Sequence, residues 1–193
     1  MQIGIEFNLF LLEDGSLYMF GQITQEGMNV LHVTDSLLCL SEKMPKQVNF
    51  KSVQCGYSHA ILLDEDDKVY TFGAGLFGQL GIGVEEGEIP RAKYPIPLDD
   101  VNDEFDRILN IACGAHFSIC YSELGILYYW GMLIPDDVNS IQWSPNFMGV
   151  SLPKDLTEIE LLSFRIVDIK ATYREVLACD AQGRIYHCDL TYN

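Results

Sequence analysis

The chain has 193 residues, of which 48% are hydrophobic, so it can bury a substantial core and disorder is not expected. Its 28 acidic and 12 basic residues give a net charge of −16, which argues against direct nucleic-acid binding and favours a protein partner with a basic surface. No apolar run approaches the roughly 18 residues of a membrane helix, and residues 1–12 lack a basic leader, so we expect a cytoplasmic or nuclear protein that is not secreted.

Four segments of the chain share one pattern, at residues 4–21, 56–73, 114–131 and 172–189. The copies begin about 50 to 60 residues apart, which is the spacing of propeller blades rather than of helical repeats. A Tyr holds the same place in every copy, and the first three copies begin and end on Gly. The positions that the repeat predicts to be structural are Gly4, Tyr18, Gly21, Gly56, Tyr70, Gly73, Gly114, Tyr128, Gly131 and Tyr186.

Each copy predicts a β-hairpin, because apolar side chains return at every second residue on both sides of a turn. In the first copy, for example, Leu9 and Leu11 precede the turn at Glu13-Asp14-Gly15. A single hairpin is marginal in water, so the units must bury their apolar faces against one another. The spacers between copies are long enough for one or two further strands each. We therefore predict an all-β protein with one propeller-like domain over residues 1–193.

The second copy carries the most specific motif. Cys55-Gly56-Tyr57-Ser58-His59, Val69-Tyr70-Thr71-Phe72-Gly73 and Gly78-Gln79-Leu80-Gly81 together resemble the repeat of the regulator of chromosome condensation family. The third copy departs from it, with Phe117 where the family has His and with His116 one place early. The resemblance implies a seven-bladed β-propeller. Four repeats would form a partial propeller, which further chain or a partner would complete.

Two stretches in or next to the second copy also match patterns that occur in enzymes. Residues 73–78 match G-x-G-x-x-G with Asp99 downstream, but a dinucleotide site needs a helix at the last Gly, and further glycines follow here instead. His59 lies beside Ser58, yet neighbouring residues of a strand point to opposite faces. We therefore expect no cofactor and no catalytic residue, and a hydrogen-bonded structural role for His59.

Cysteines and acidic runs give no metal motif. The six cysteines contain no C-x-x-C pair, which favours buried reduced thiols over a disulfide or metal site. The acidic run at residues 64–67 lacks the length and Gly of a calcium-binding loop and is predicted to be a hairpin tip.

The spacers hold the predicted protein-binding residues. Residues 140–148 are predicted to form a loop that either presents an apolar group to a partner or packs Trp143 beneath itself, and acidic insertions follow the second copy. These candidates are Trp143, Phe147, Met148, Asp99, Asp100, Asp103 and Glu104. We therefore expect a non-enzymatic protein-interaction module or scaffold. As an alternative, the family resemblance implies a guanine-nucleotide exchange factor or regulator that acts on a small GTPase.

Overall fold

The computed structural model describes residues 2–3, 7–25, 29–82, 91–98, 107–124, 127–132, 143–150, 166–173 and 175–189. These residues form β-strands and one short 3-10 turn at Ser41–Lys43. The first two sheets contain β1 (Gln2–Ile3), β2 (Phe7–Leu11), β3 (Leu17–Gln25) and β4 (Asn29–Cys39), and then β5 (Phe50–Cys55), β6 (His59–Asp64), β7 (Val69–Ala74) and β8 (Arg91–Pro97). The next two contain β9 (Ile108–Cys113), β10 (Phe117–Ser122), β11 (Leu127–Met132) and β12 (Trp143–Val150), and then β13 (Ile166–Ala171), β14 (Glu175–Asp180) and β15 (Ile185–Asp189).

Strands that are consecutive in the chain are neighbours in each sheet, and every pair is antiparallel. The predicted hairpin is the second and third strand of each sheet. Its register is the same in the first two copies, since Leu11 pairs with Leu17 and Leu63 pairs with Val69. An up-and-down sheet of four short strands is the unit of a propeller blade. The all-β prediction is therefore confirmed.

Apolar side chains fill the three spaces between successive sheets. In the second sheet, alternate residues point to opposite sides, so Leu62 and Phe72 pack with the first sheet, whereas Ile61 and Val69 pack with the third. The third space contains Phe117, Ile119, Tyr129, Ile169 and Val176. Each inner sheet thus has two buried faces, which the hairpin pattern alone does not reveal.

The first strands of the sheets lie side by side, with β5 against β1 and β9, and β9 against β13. Hairpin tips join the first sheet to the second and the second sheet to the third at one end of the structure. The amide of Phe50 donates to the carbonyl of Gly15 at 3.0 Å, and the carboxylate of Asp67 pairs with Arg107 at 2.6 Å and with Lys51. The sheets are therefore arranged around a common inner edge, as blades are. No helix in the described part of the chain is long and apolar enough to cross a membrane.

The prediction of a loop over residues 140–148 is wrong from residue 143 onward, because Trp143–Val150 forms the outermost strand of the third sheet, and residues 140–142 lie outside the described residues. Met132 pairs with Trp143 and Tyr129 pairs with Met148, and the register shifts between these pairs. The sequence signal for a loop was Pro145, but an edge strand with a bulge accommodates a proline that cannot donate to the ladder. Trp143, Phe147 and Met148 therefore belong to a blade.

Candidate protein-binding face

One end of the structure carries the turns between the first and second strands of the sheets. These turns include residues 56–58, 114–116 and 172–173, and the loop at residues 75–82, which follows β7, joins them there. The turns also bond to one another, since the amide of Tyr57 donates to the carbonyl of Ala115 at 3.1 Å. The hairpin tips that link the sheets lie at the opposite end. The end that carries these turns is thus free of the tip contacts, and it presents adjacent turns from three sheets.

Four aromatic rings meet on these turns, and we name this group the rim cluster: Tyr57, Phe77, His116 and Tyr173. The ring centroid of Tyr57 lies 5.1 Å from that of His116 and 5.8 Å from that of Tyr173, and Phe77 lies 4.7 Å from His116. Tyr57 is 39% exposed and Tyr173 is 49% exposed, whereas the other two are half-buried. Partial burial lowers the pKa of His116, so this imidazole is uncharged at neutral pH. The aromatic rings of the cluster form an apolar surface, and the tyrosine hydroxyls and the imidazole can form hydrogen bonds.

A buried polar network supports the rim cluster from below. The Nε2 atom of His59 lies 3.0 Å from Ser118 Oγ and 3.2 Å from the carbonyl oxygen of Phe117. Ser118 Oγ donates to the carbonyl of Gln79 at 2.9 Å, and Gln79 Oε1 accepts from the amide of Phe77 at 2.8 Å. Since the Ser118 hydroxyl proton points to Gln79, His59 must donate through Nε2. The chain of bonds fixes the loop that carries Phe77 to two sheets.

His59 is held by hydrogen bonds between the second and third sheets. It is fully buried, and burial lowers its pKa to about 3, although the hydrogen bond with the Phe117 carbonyl acts in the opposite direction. Its hydroxyl partner is Ser118 of the next sheet and not the neighbouring Ser58. Ser118 is also fully buried and uses its proton elsewhere, so the pair is not arranged as a nucleophile and a base with access to a substrate.

The glycines of the repeat make room for these side chains. A methyl group on Gly56 would lie 2.1 Å from Cε1 of His59, and one on Gly114 would lie 1.9 Å from Cε1 of Phe117. Phe117 thus occupies in the third sheet the place that His59 has in the second. Gly73 and Gly131 have φ angles of 112° and 107°, which other residues rarely adopt.

The remaining repeat positions are buried or half-buried where the structure describes their side chains. Tyr70 is buried edge-on against Phe50, with 5.4 Å between the ring centroids, and burial raises its pKa to about 12. Tyr18 and Tyr128 are half-buried, and Gly21 has a φ of 105°. Gly4 and the side chain of Tyr186 lie outside the described residues.

The structure tests the spacer candidates only in part. Asp99, Asp100, Asp103 and Glu104 lie outside the described residues, and of Trp143, Phe147 and Met148 only the strand backbone is described. No group of three or more potential metal ligands occurs among the described side chains. The stretch after Gly78 forms turns with positive φ at Gly78 and Gly81, so the helix that a dinucleotide site requires does not begin there.

The rim cluster itself was not predicted. Its signal in the sequence was available, because Tyr57, His116 and Tyr173 all fall one or two residues after the start of a repeat copy. Phe77 comes from a spacer and had no such signal. Only the fold brings it beside the ring of His116.

Comparisons with known proteins agree with the repeat. Models of the regulator of chromosome condensation (RCC1) repeat match residues 66–121 and 50–79. The chain is 34% identical over 101 residues to the X-linked retinitis pigmentosa GTPase regulator of Canis lupus familiaris, a match covering 49% of this chain and 9% of that protein. It is 25% identical over 169 residues to the regulator of chromosome condensation of Xenopus laevis, covering 83% of this chain and 37% of that protein.

The solved structure of Prp20p from Saccharomyces cerevisiae has the same fold. Its TM-score is 0.73 at 20% sequence identity, and the match covers 96% of this chain and 42% of Prp20p. The chain thus spans well under half the length of these relatives. Its four described sheets correspond to part of a propeller. Residues 50–121 therefore match the regulator of chromosome condensation repeat, and the described sheets have the fold of a partial β-propeller.

Proposed function

We propose that this chain is a non-enzymatic protein-binding module and that the rim cluster is the centre of its binding face. The observation that carries the proposal is the meeting of Tyr57, Phe77, His116 and Tyr173 on turns from three sheets. Tyr is enriched among the residues that dominate binding energy, and a cluster with a rigid base loses little side-chain entropy on binding. The buried network at His59 supplies that base.

The partner that we infer is a protein with a basic contact surface. The chain carries a net charge of −16, which attracts and orients such a partner and repels nucleic acid. Prp20p has binding properties toward Gsp1p and histones, and another relative is named a GTPase regulator. These relatives make small GTPases and histones the first probes. A cytoplasmic or nuclear location, as predicted from the sequence, suits both.

A direct binding measurement tests the proposal. The purified chain is titrated against a panel of small GTPases, in nucleotide-free, GDP-bound and GTP-bound forms, and against core histones. Where a probe binds, Tyr57→Ala with Tyr173→Ala should weaken it at least about tenfold, because hot-spot truncations cost about 2 kcal/mol or more. Leu109→Ala is the matched control, since Leu109 is 42% exposed on a strand away from the cluster. Equal affinity of the double variant and the control would refute the proposed face.

A second candidate function is guanine-nucleotide exchange or another regulation of a small GTPase. It is favoured by the GTPase-regulator name of a relative and by the family's exchange activity, which the resemblance implies. The acidic residues Asp99, Asp100, Asp103 and Glu104 are its proposed contacts. Release of a labelled nucleotide from each GTPase, with and without the chain, separates the two functions. Binding without faster release would remove exchange and leave the interaction module in place.

A further inference from the structure

The turns that carry the rim cluster hold aromatic rings and no charged side chain. Residues 56–58, 75–82, 114–116 and 172–173 contain no Asp, Glu, Lys or Arg, although the chain as a whole has a net charge of −16. The overall field of the chain attracts a cationic group of a partner. On these turns, such a group meets neither a carboxylate nor an opposing cation, and the faces of aromatic rings are what is left to hold it.

Two of the rings are placed so that one cation can contact both. The face of an aromatic ring is electron-rich and attracts a cation that lies within about 6 Å of the ring centroid. The centroids of Tyr57 and Tyr173 are 5.8 Å apart, with an angle of 53° between the ring planes. Both side chains have exposed surface. A single cationic group can therefore lie within reach of the two rings at once.

The inner rings of the rim cluster hold this pair in place without adding a positive charge. His116 makes T-shaped contacts with Tyr57, at an interplanar angle of 73°, and with Phe77, at 64°. Contacts of this kind stabilise a fixed arrangement of rings. Partial burial lowers the pKa of His116, so its imidazole does not repel a cation at neutral pH. The pair of tyrosines is thus formed before a partner arrives.

We propose that the ring faces of Tyr57 and Tyr173 bind the guanidinium group of an arginine side chain on the partner protein. This inference rests on the proposed function and names the chemical group that the binding face recognises. Arginine suits the site best, because its planar guanidinium stacks on aromatic rings and is more weakly hydrated than the ammonium of lysine. An aliphatic side chain would bury apolar area there, but it would gain nothing from the ring quadrupoles or from the net charge of the chain.

A peptide titration followed by NMR tests the contact directly. The probe is a short glycine peptide with one central arginine and with acetylated and amidated ends. The control peptide has citrulline at that place, which replaces the guanidinium by a neutral urea of nearly the same shape. The arginine peptide should shift the ring signals of Tyr57 and Tyr173 and should bind at least about fivefold more tightly than the citrulline peptide. Equal affinities, or shifts confined to residues outside the rim cluster, would overturn the proposal.

Substitution of the two tyrosines separates a cation contact from a purely apolar one. Tyr57→Phe with Tyr173→Phe keeps both ring faces, so affinity for the arginine peptide should stay within about twofold. Tyr57→Leu with Tyr173→Leu keeps an apolar surface without the rings, and affinity should fall at least about fivefold. Circular dichroism should show that both double variants are folded. The contact is refuted if the two bind the arginine peptide equally well.

The same variants distinguish this inference from the proposed function. If the Phe and Leu double variants bind a protein partner equally while Tyr57→Ala with Tyr173→Ala does not, the arginine contact is wrong and the binding face stands. If the Ala double variant binds normally, the face itself is wrong. Arg174 lies outside the described residues and directly follows Tyr173, so Arg174→Gln is a further control. It should leave the affinity for the arginine peptide unchanged or raise it, and a loss would contradict a cation site.

Discussion

Acid should destabilise the protein through His59, and replacing this residue with Phe should remove that effect. His59 is fully buried and neutral, with a pKa of about 3 in the folded protein against an ordinary value of 6.5. Phe is the appropriate replacement because Phe117 already occupies the equivalent place over Gly114 in the next sheet. The His59→Phe variant thus keeps the packing and removes the titrating group.

The magnitude follows from the two pKa values. Because the folded pKa is the lower one, the unfolded chain binds the proton more tightly, and stability is fully present above the unfolded pKa and falls as pH drops below it. Each unit of pH in this window costs about 1.4 kcal/mol, so His59 removes about 2 kcal/mol of unfolding free energy at about pH 5 relative to neutral pH. The loss continues until pH reaches about 3, where folded His59 also becomes protonated.

Urea unfolding at about pH 7.5 and about pH 5, followed by tryptophan fluorescence, measures the effect. At the higher pH, His59→Phe should be about 1 kcal/mol less stable, because it loses the hydrogen bond that His59 donates to Ser118. At the lower pH, the order should reverse. Carboxylates and the other histidines titrate in both proteins, so their contributions cancel in the difference. If both proteins lose the same free energy over this range, the assignment of the acid response to His59 is refuted.

Three further substitutions test the packing and the turns by the same urea unfolding. Phe72→Ala should cost about 3 to 5 kcal/mol, since the ring is fully buried between the first two sheets, and a cost below about 1 kcal/mol would contradict that packing. Gly73→Ala should cost clearly more unfolding free energy than Gly183→Ala. Both glycines have a positive φ, but only at Gly73 would the methyl group meet a backbone oxygen, at 2.4 Å. Equal costs would contradict the close backbone contact at Gly73. Asp67→Asn should cost less than about 1 kcal/mol and should lose its effect in high salt, since Asp67 pairs near the surface with Arg107; an effect insensitive to salt would contradict an ionic origin.

The sequence predicted the hairpins because their information is local. Alternation of apolar residues, a turn between Leu63 and Val69 and a Gly at the end of the strand are all visible within one copy. The repeat then implied that the copies pack together. Period-2 alternation also places Ile61 and Leu62 on opposite sides of one sheet, but only the structure shows that Ile61 meets the third sheet and Leu62 the first.

The outer strand β12 could not be predicted in the same way. Its partner is β11, and the pairing depends on backbone hydrogen bonds that tolerate Pro145 only because the strand is at an edge. A proline within a polar stretch has the same local pattern in a loop and in an edge strand. The sequence therefore could not distinguish the two, because the difference lies in the tertiary context. In the structure, Trp143 is a residue of a blade and not of a loop.

The rim cluster shows why a structural repeat still creates a specific surface. Gly56, Gly114 and the buried residues below them repeat because the blade requires them, but the turns between them are free to differ. Tyr57 and Tyr173 hold one position of the turn, whereas His116 holds the next, so equivalent turns contribute rings from different positions. A functional surface can therefore lie within the repeats as well as in the spacers, because the fold brings together side chains that differ between equivalent turns.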